Sequence, residues 1–193
     1  MSINYPDGRK KLPIKQTKLR KTKTAANRGM QLESLINAAN AYYIDNNIAL
    51  ITKRPTPINV VKIDYKKGAK IVDAYFEKQS TTDYNGIYME RYLDFEAKST
   101  QQKTSFPLSN IYEHQLFHLQ KVIEQGGIAF FIIEFVAQAE IYVYSAEKLL
   151  NFIKTNKRKS IPYETIKQEG IVVPLGINPI LNYLPAVKTL FNL

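Results

Sequence analysis

Hydrophobic side chains recur at helical spacing in several parts of this 193-residue sequence. A first helix is predicted to begin near Asn27, a favourable N-cap residue. Its apolar positions, spaced three or four residues apart, are Leu32, Leu35, Ile36, Ala39 and Tyr43. Further helices are predicted over residues 109–125, over residues 146–154 with Ser145 as the cap, and in the tail after Pro179.

Extended segments occupy most of the remaining sequence. Residues 128–136 are almost entirely apolar, which predicts a central strand buried on both faces. Residues 92–98 alternate instead, so that Leu93, Phe95 and Ala97 would face the core. The opposite face would carry Tyr92, Asp94, Glu96 and Lys98. Shorter strands are predicted at 48–52, 58–65, 141–144 and 170–174, and the segment 71–76 fits either type of element.

The order of these elements is helix, strands, helix, strand, strand, helix, which predicts an α/β or α+β sandwich with a mixed central sheet. Two signals punctuate the strands. The prolines of Arg54-Pro55-Thr56-Pro57 favour a stiff extended connection. Tyr84-Asn85-Gly86 favours a turn.

Positive charge is concentrated at the beginning of the sequence. The chain has 27 Lys and Arg against 17 Asp and Glu, a net charge of +10. Residues 8–32 contain many basic side chains, no acidic one and few large apolar ones, so this stretch cannot form a core of its own. We therefore predict a flexible basic arm over residues 1–26, and the charge pattern favours nucleic acid as its partner.

The composition also excludes several classes of function. Because there is no cysteine, disulfides, thiolate chemistry and zinc–sulfur sites are ruled out. The sequence contains no G-x-x-x-x-G-K-[ST] motif, so no nucleotide cofactor is expected. There is no apolar stretch typical of a signal peptide, and the longest apolar run, residues 128–133, is far too short to span a membrane. We expect a cytoplasmic protein that does not bind a membrane.

Asp83, Glu96 and Lys98 form the pattern that best fits metal-dependent hydrolysis. Glu96 and Lys98 are two apart on a predicted strand, so their side chains leave the same face, and Asp83 can fold back beside them. Two adjacent carboxylates repel each other unless a cation lies between them, and Mg²⁺ prefers such oxygen ligands. A lysine beside the ion can orient water and offset charge on a phosphoryl transition state. The pattern has the form D-(x)n-E-x-K.

Structural interpretations of the same positions remain open. Asp83 is a common type of turn former, and Asp94 shares the strand face of the second acid and could compete as a ligand. Glu33 fits an acid stabilised near a helix N-terminus. His114 and His118 have the spacing of a metal pair, but no glutamate follows the first, so ordinary helix-face or DNA-facing histidines are favoured.

Longer stretches of sequence occur in an order that is typical of one family. They are Asn27-Arg28-Gly29-Met30 followed by Leu32-Glu33, Lys53-Arg54-Pro55-Thr56-Pro57, Ser80-Thr81-Thr82-Asp83-Tyr84-Asn85-Gly86-Ile87-Tyr88, Arg91-Tyr92-Leu93-Asp94-Phe95-Glu96-Ala97-Lys98, Thr104-Ser105-Phe106-Pro107-Leu108 and His114-Gln115. Together they resemble the RecU family of Holliday junction resolvases, within the PD-(D/E)xK nuclease superfamily. The resemblance covers residues 27–150, with weaker similarity towards the C-terminus.

The resemblance implies roles at the matching positions. The catalytic residues would be Asp83, Glu96, Lys98, Glu33 and Gln115. The Mg²⁺ site, at which Mn²⁺ can substitute, would involve Thr82, Asp83, Glu96 and Gln115, helped by the carbonyl of Ala97. Residues implied in DNA binding are Arg28, Lys53, Arg54, Lys66, Lys67 and Tyr75.

For the whole protein, the resemblance implies a restriction-endonuclease-like α/β/α core over residues 27–193, as a single nuclease domain with a protruding stalk near residues 55–76. It implies a Mg²⁺-dependent homodimer that resolves four-way DNA junctions by paired symmetric nicks during homologous recombination and repair. It also implies a link to the strand-exchange recombinase. The stalk departs from the family pattern, because Asp64-Tyr65-Lys66-Lys67 lacks a proline. Two rivals are another nuclease of the superfamily, restriction-like or fork-specific, and a non-catalytic architectural DNA-binding protein.

Overall fold

The computed structural model describes residues 25–66, 68–76 and 81–193, without the side chains of residues 25–30 and 76. The strands of this part of the chain are β1 (Leu50–Lys53), β2 (Ile58–Asp64), β3 (Lys70–Phe76), β4 (Tyr84–Tyr88), β5 (Arg91–Thr100), β6 (Ser105–Pro107), β7 (Ile128–Phe135), β8 (Glu140–Ser145), β9 (Ser160–Pro162) and β10 (Ile171–Val172). The α-helices are α1 (Ala25–Asp45), α2 (Glu113–Glu124), α3 (Ala146–Thr155), α4 (Tyr163–Glu169) and α5 (Leu184–Phe191), with a short 3-10 helix at Leu108–Asn110.

Six of these strands form one sheet in the order β1-β4-β5-β7-β8-β10. Strands β5 and β7 are parallel, with Glu96 opposite Phe131, whereas the other neighbours are antiparallel. A parallel pair needs a crossover connection, and α2 lies in the segment that connects β5 to β7. The predicted mixed central sheet is therefore confirmed.

Two hydrophobic layers cover the sheet. On one face, Phe95, Phe130 and Ile132 pack with residues of α1 and α5. On the other face, Phe131 and Ile133 pack with residues of α2, α3 and α4. Because alternate residues of β7 enter different layers, this strand is buried on both sides, as its uniformly apolar sequence predicts. The result is the predicted α/β/α arrangement.

The layer on the α1 side joins the two ends of the described chain. The Tyr43 hydroxyl donates a hydrogen bond to Oδ1 of Asn182 at 2.9 Å, and the Tyr183 hydroxyl donates one to Oδ1 of Asn40 at 2.5 Å. The rings of Tyr43 and Tyr183 meet edge to face, with centroids 5.4 Å apart. Helix α1 therefore depends on residues near α5 for its packing.

The hairpin that joins β4 to β5 differs from the prediction. The turn expected at Tyr84-Asn85-Gly86 is wrong, because these residues are the first part of β4. The turn lies instead at Met89 and Glu90, which have positive φ angles of 49° and 62°. Gly86 serves a different purpose: a Cβ atom there would lie 2.1 Å from the carbonyl oxygen of Leu50 on β1. The glycine permits close approach of two strands rather than a turn.

Other helix and strand boundaries also differ from those predicted. The second helix begins at Glu113 instead of residue 109, and the 3-10 helix occupies the intervening region. The segment 71–76, of ambiguous type in the sequence, belongs to strand β3. Strand β6 pairs with β9 in a separate two-stranded sheet, and together with α4 these short elements had no periodic signal to predict them.

Strands β2 and β3 pair antiparallel with each other and lie outside the six-stranded sheet. Most of the described side chains of this hairpin are exposed, including large apolar ones such as Val61, Val72 and Tyr75. We call this hairpin the stalk, since it falls within the segment near residues 55–76 for which a protruding stalk is predicted. The basic arm predicted over residues 1–26 lies outside the described residues except for residues 25 and 26, whose backbone begins α1. None of the described helices is long and apolar enough to cross a membrane.

We expect Gly86→Ala to destabilise the protein by about 2 kcal/mol or more, because its methyl group would push β1 away from β4. Urea denaturation monitored by circular dichroism measures the change. Gly176→Ala is the matched control, since the nearest atom to its Cβ is the Pro179 carbonyl oxygen at 3.4 Å. Equal stabilities of the two variants would contradict the proposed role of the close approach.

Candidate active site

The second acid of the sequence pattern, Glu96, lies in the middle of β5 between β4 and β7. Its neighbour Phe95 stacks against Tyr84 on β4 and Phe130 on β7, with ring centroids 4.9 and 4.6 Å away. These stacks hold the three strands in register on one face of the sheet. Successive residues point to opposite faces, so Glu96 projects towards α2 and is only 1% exposed.

Three groups contact the Glu96 carboxylate. The backbone N–H of Asp83 donates to Oε2 at 3.0 Å. Asp83 lies beside Glu96 because the next residue, Tyr84, begins β4 and is paired with Phe95 on β5. On the other oxygen, Nε2 of Gln115 donates to Oε1 at 2.6 Å and Nζ of Lys98 lies 2.7 Å from it. The structure thus brings together Asp83, Glu96, Lys98 and Gln115.

Gln115 reaches this carboxylate from the first turn of α2. Its Oε1 also accepts a hydrogen bond from the backbone N–H of Tyr112 at 3.1 Å, which holds the side chain across the helix N-terminus. Gln115 is almost completely buried. The amide therefore links the start of α2 to strand β5 at the position of the acid.

The electrostatics of this group disfavour the ionised form of Glu96. Burial raises the pKa of Glu96 to about 7, an effect that Lys98 opposes and the nearby Asp83 charge reinforces. The hydroxyl of Tyr84 reports the same crowding of negative charge. Burial, followed by the charges of Glu33, Asp83 and Glu96, raises its pKa. The charges of three acids therefore affect the hydroxyl of Tyr84, the first residue of β4.

The donor set fits a hard divalent cation. Among the described residues, no three acid or histidine side chains converge closely enough to form a metal cluster by themselves. Mg²⁺, however, is commonly held by only one or two carboxylates and keeps several waters or substrate oxygens. Asp83 and Glu96 supply two carboxylates. Burial is the main cause of the raised pKa of Glu96 and the nearby Asp83 charge adds to it, so a cation between the two acids would be favourable.

A second buried acid, Asp94, shares the strand face of Glu96 but has quite different partners. Arg54 donates from Nη2 to Oδ2 at 2.7 Å, and the Tyr92 hydroxyl donates to the same oxygen at 2.8 Å. Nε2 of His118 lies 2.9 Å from that oxygen, and the Thr82 hydroxyl donates to Oδ1. We call these five residues the Asp94 cluster.

The Asp94 cluster joins the two ends of the stalk. Arg54 precedes strand β2 and Thr82 follows β3, and Nη1 of Arg54 is 2.5 Å from the Thr82 hydroxyl. The backbone N–H of Arg54 also donates to the carbonyl of Asp83 at 2.7 Å. Burial by itself would raise the pKa of Asp94, but hydrogen bonds from Arg54, Thr82 and His118 outweigh it and lower the pKa. Asp94 is therefore a satisfied anion that anchors the segment carrying Asp83.

Comparison with known proteins identifies the family. The family model described as Recombination protein U, RecU, matches residues 27–189. The chain belongs to the RecU family. A protein of Leuconostoc citreum named Holliday junction resolvase RecU is 48% identical over 202 residues, which cover 100% of this chain and 98% of that protein. A protein of the same name from Oceanobacillus iheyensis is 45% identical, with coverage of 98% and 100%.

A structural comparison gives a more distant similarity to Hjc of Archaeoglobus fulgidus, a Holliday junction resolvase. The TM-score is 0.42 and the sequence identity 10%, with 74% of this chain and 93% of that chain covered.

Two further predicted site residues of this RecU chain, Glu33 and Thr82, have side-chain partners other than Glu96. Glu33 forms a partly exposed ion pair with Lys53. The Thr82 hydroxyl is occupied within the Asp94 cluster rather than directed at Glu96. A metal-ligand role for Thr82 and a supporting role for Glu33 stay predictions.

The predicted DNA-binding residues differ in how exposed their side chains are. Lys66 and Tyr75 are exposed on the stalk, as DNA contacts require. The Arg54 guanidinium, by contrast, is largely enclosed by Asp94 and Thr82. Residue Lys67 and the side chain of Arg28 lie outside the described residues.

Sequence reasoning missed the Asp94 cluster as a unit. The strand alternation put Asp94 on the same face as Glu96, and only a competing ligand role was weighed for it. The single available signal was the concentration of polar residues on a strand that should be covered by a helix. Its partners come from positions up to 40 residues away in sequence, which no local pattern connects.

In a metal-free buffer, Glu96→Gln is expected to become progressively more stable than wild type as the pH rises from about 4.5 to 7. The folded state retains the Glu96 proton in this range while the unfolded state releases it, so wild type loses stability with increasing pH. The full difference should reach about 3 kcal/mol above pH 7. Urea denaturation with EDTA at several pH values measures it, and a pH-independent difference would contradict the raised pKa.

Arg54→Ala should cost about 3 kcal/mol of stability, because it leaves the fully buried Asp94 carboxylate without its main cation. Lys53→Ala is the control from the adjacent position, and its exposed pair with Glu33 should contribute less than about 1 kcal/mol. The lowered pKa of Asp94 means that its contribution is present above the pKa of the unfolded chain and is lost in acid. The gap between wild type and Arg54→Ala should therefore narrow as the pH falls through the folded-state pKa.

Proposed function

We propose that this RecU chain is a divalent-metal-dependent endonuclease that resolves four-way DNA junctions during homologous recombination and repair. The observation that carries the proposal is the buried Glu96 carboxylate, which Asp83, Lys98 and Gln115 contact. An acid held at a raised pKa beside a second acid and a lysine is an arrangement suited to catalysis rather than to stability. The relatives named Holliday junction resolvase RecU support the choice of substrate.

Asp83 and Glu96 are proposed to hold Mg²⁺, with the Ala97 carbonyl as a further oxygen donor and Mn²⁺ as an alternative ion. When bound, the ion would supply Lewis-acid stabilisation of the phosphate oxygens and promote deprotonation of water. It would also offset the repulsion from Asp83, which adds to the effect of burial on the pKa of Glu96.

The chain's own residues would carry out the remaining tasks. Lys98, now 2.7 Å from Glu96, would lose part of this attraction once a cation neutralises the acid, and its ammonium group could then act on the substrate phosphate. Gln115 would keep the Glu96 carboxylate oriented through its hydrogen bond to Oε1. The positions of both groups are prepared before substrate arrives, which lowers the reorganisation required for hydrolysis.

The preference for branched DNA is proposed to come from the stalk and from symmetry. The exposed β2–β3 hairpin could enter the junction centre, with Lys66, Lys67 and Tyr75 as contacts. A four-way junction is two-fold symmetric, so a homodimer with two active sites could make paired symmetric nicks. We further propose a cytoplasmic location and a functional link to the strand-exchange recombinase, both from family membership.

Asp83→Asn, Glu96→Gln and Lys98→Ala should each reduce cleavage of a synthetic four-way junction by at least about 100-fold, since each removes charge from the reacting region. Gel assays with Mg²⁺ measure cleavage, and parallel assays with Ca²⁺ measure binding without turnover. Binding by Asp83→Asn should be retained or tightened, because less negative charge faces the phosphates.

Glu134→Gln is the matched control, because this acid lies on the adjacent strand β7 and contacts Ser99 instead of the site. It should cleave like wild type. Faster cutting of linear duplex than of the junction would favour a different nuclease of the superfamily. Undiminished biological function in Asp83→Asn and Glu96→Gln would favour a non-catalytic DNA-binding protein.

A further inference from the structure

An exposed aromatic ring lies at the edge of the candidate active site. Tyr112 immediately precedes α2 and is 61% exposed, although large aromatic side chains tend to be mostly covered in folded proteins. Nζ of Lys98 lies 5.6 Å from the centroid of its ring. The same Nζ is 2.7 Å from Glu96, so the ring is a direct neighbour of the group proposed to act on the phosphate.

Two contacts hold the ring in place without covering it. The imidazole of His114 stacks on Tyr112 with a centroid separation of 5.5 Å and an angle of 9° between the planes. The Lys98 ammonium group adds a cation–π attraction, typically strongest when the cation lies within about 6 Å of the ring centroid. The ring is therefore oriented in advance, and much of its surface remains open to a ligand.

The fold itself uses the backbone of Tyr112. Its N–H donates to Oε1 of Gln115 at 3.1 Å, and its carbonyl accepts from the backbone N–H of Gln115 at 3.0 Å. Neither contact requires an aromatic side chain. The side chain can thus be changed while the link from α2 to Glu96 is preserved.

An oriented and exposed ring beside a lysine is suited to unpaired bases, because every base offers a π-face and the lysine offers charge to the backbone. We propose that Tyr112 stacks on a base next to the scissile phosphate and so selects branched DNA, in which bases near the crossover are free to unstack. The occupant is single-stranded or unstacked DNA at the cleavage position. This proposal rests on the proposed function and names the residue that reads the local structure of the substrate.

The test uses full-length protein with Ca²⁺ and four-way junctions that carry 2-aminopurine beside the cleaved phosphate. Stacking of this base on the ring of wild type should quench its fluorescence in a way that depends on the Tyr112 ring. Tyr112→Phe keeps the ring and should retain this quenching, whereas Tyr112→Leu should lose it. The affinity of Tyr112→Leu for the junction should fall by about five- to 150-fold, the range for loss of one stacked base.

Phe117→Leu is the matched control on the same helix. Phe117 is 64% exposed and has Nζ of Lys121 5.6 Å from its ring centroid, so it reproduces the exposure and the cation of Tyr112. It lacks the contact with Lys98, and its replacement should leave both the fluorescence change and cleavage as in wild type.

Two results would overturn the proposal. One is equal quenching by wild type and Tyr112→Leu, even if the variant cleaves slowly, because the ring would then act on Lys98 and not on DNA. The other is an equal loss of quenching in Phe117→Leu, which would indicate non-specific contact with exposed rings. Failure of wild type to bind the junction would remove the proposed function together with this inference, and that outcome is distinct from both.

Discussion

The structure depends on the burial of two carboxylates on one face of a central strand. Asp94 and Glu96 are two residues apart on β5 and both project beneath α2, where water cannot solvate them. The fold resolves the two charges in opposite ways. Asp94 receives a guanidinium, two hydroxyls and an imidazole, and its pKa is lowered. Glu96 receives two amide donors and one lysine, and burial keeps its pKa raised. The pKa values of the two acids are thus shifted in opposite directions, which suits Asp94 to a structural role and Glu96 to the proposed chemical one.

Asp94 also fixes the position of Asp83 relative to Glu96. Arg54 and Thr82 bracket the β2–β3 hairpin, and both are held by Asp94. Asp83 directly follows Thr82, so its backbone N–H meets Glu96 only if that end of the hairpin is fixed. The stalk and the candidate metal site are thus held by the same contacts, those that Asp94 makes with Arg54 and Thr82. Movement of the hairpin on a substrate would be transmitted to Asp83 through a few hydrogen bonds.

Much of this arrangement could be predicted from sequence because local rules govern it. The apolar run of β7 required burial on both faces, and the alternation in β5 put Glu96 and Lys98 on one side. The turn at Met89 and Glu90 could not be predicted, since both residues adopt positive φ without a glycine and the Asn85-Gly86 signal pointed elsewhere. The Asp94 cluster was also inaccessible, because its members are joined only by tertiary contacts. The pattern of Asp83, Glu96 and Lys98 predicted a metal site and the basic charge predicted a nucleic-acid partner, whereas the four-way junction substrate and the dimer come only from the family resemblance.

The contact between α1 and the residues that immediately precede α5 has a consequence for protein synthesis. Tyr43 and Asn40 of α1 bond to Asn182 and Tyr183, which are more than 130 residues later in the chain. During translation, α1 cannot complete its packing until these late residues have left the ribosome. Contacts of such large sequence separation tend to form slowly. A nascent chain therefore carries Asp94 and Glu96 long before the residues that complete the packing of α1 on the sheet have been synthesised.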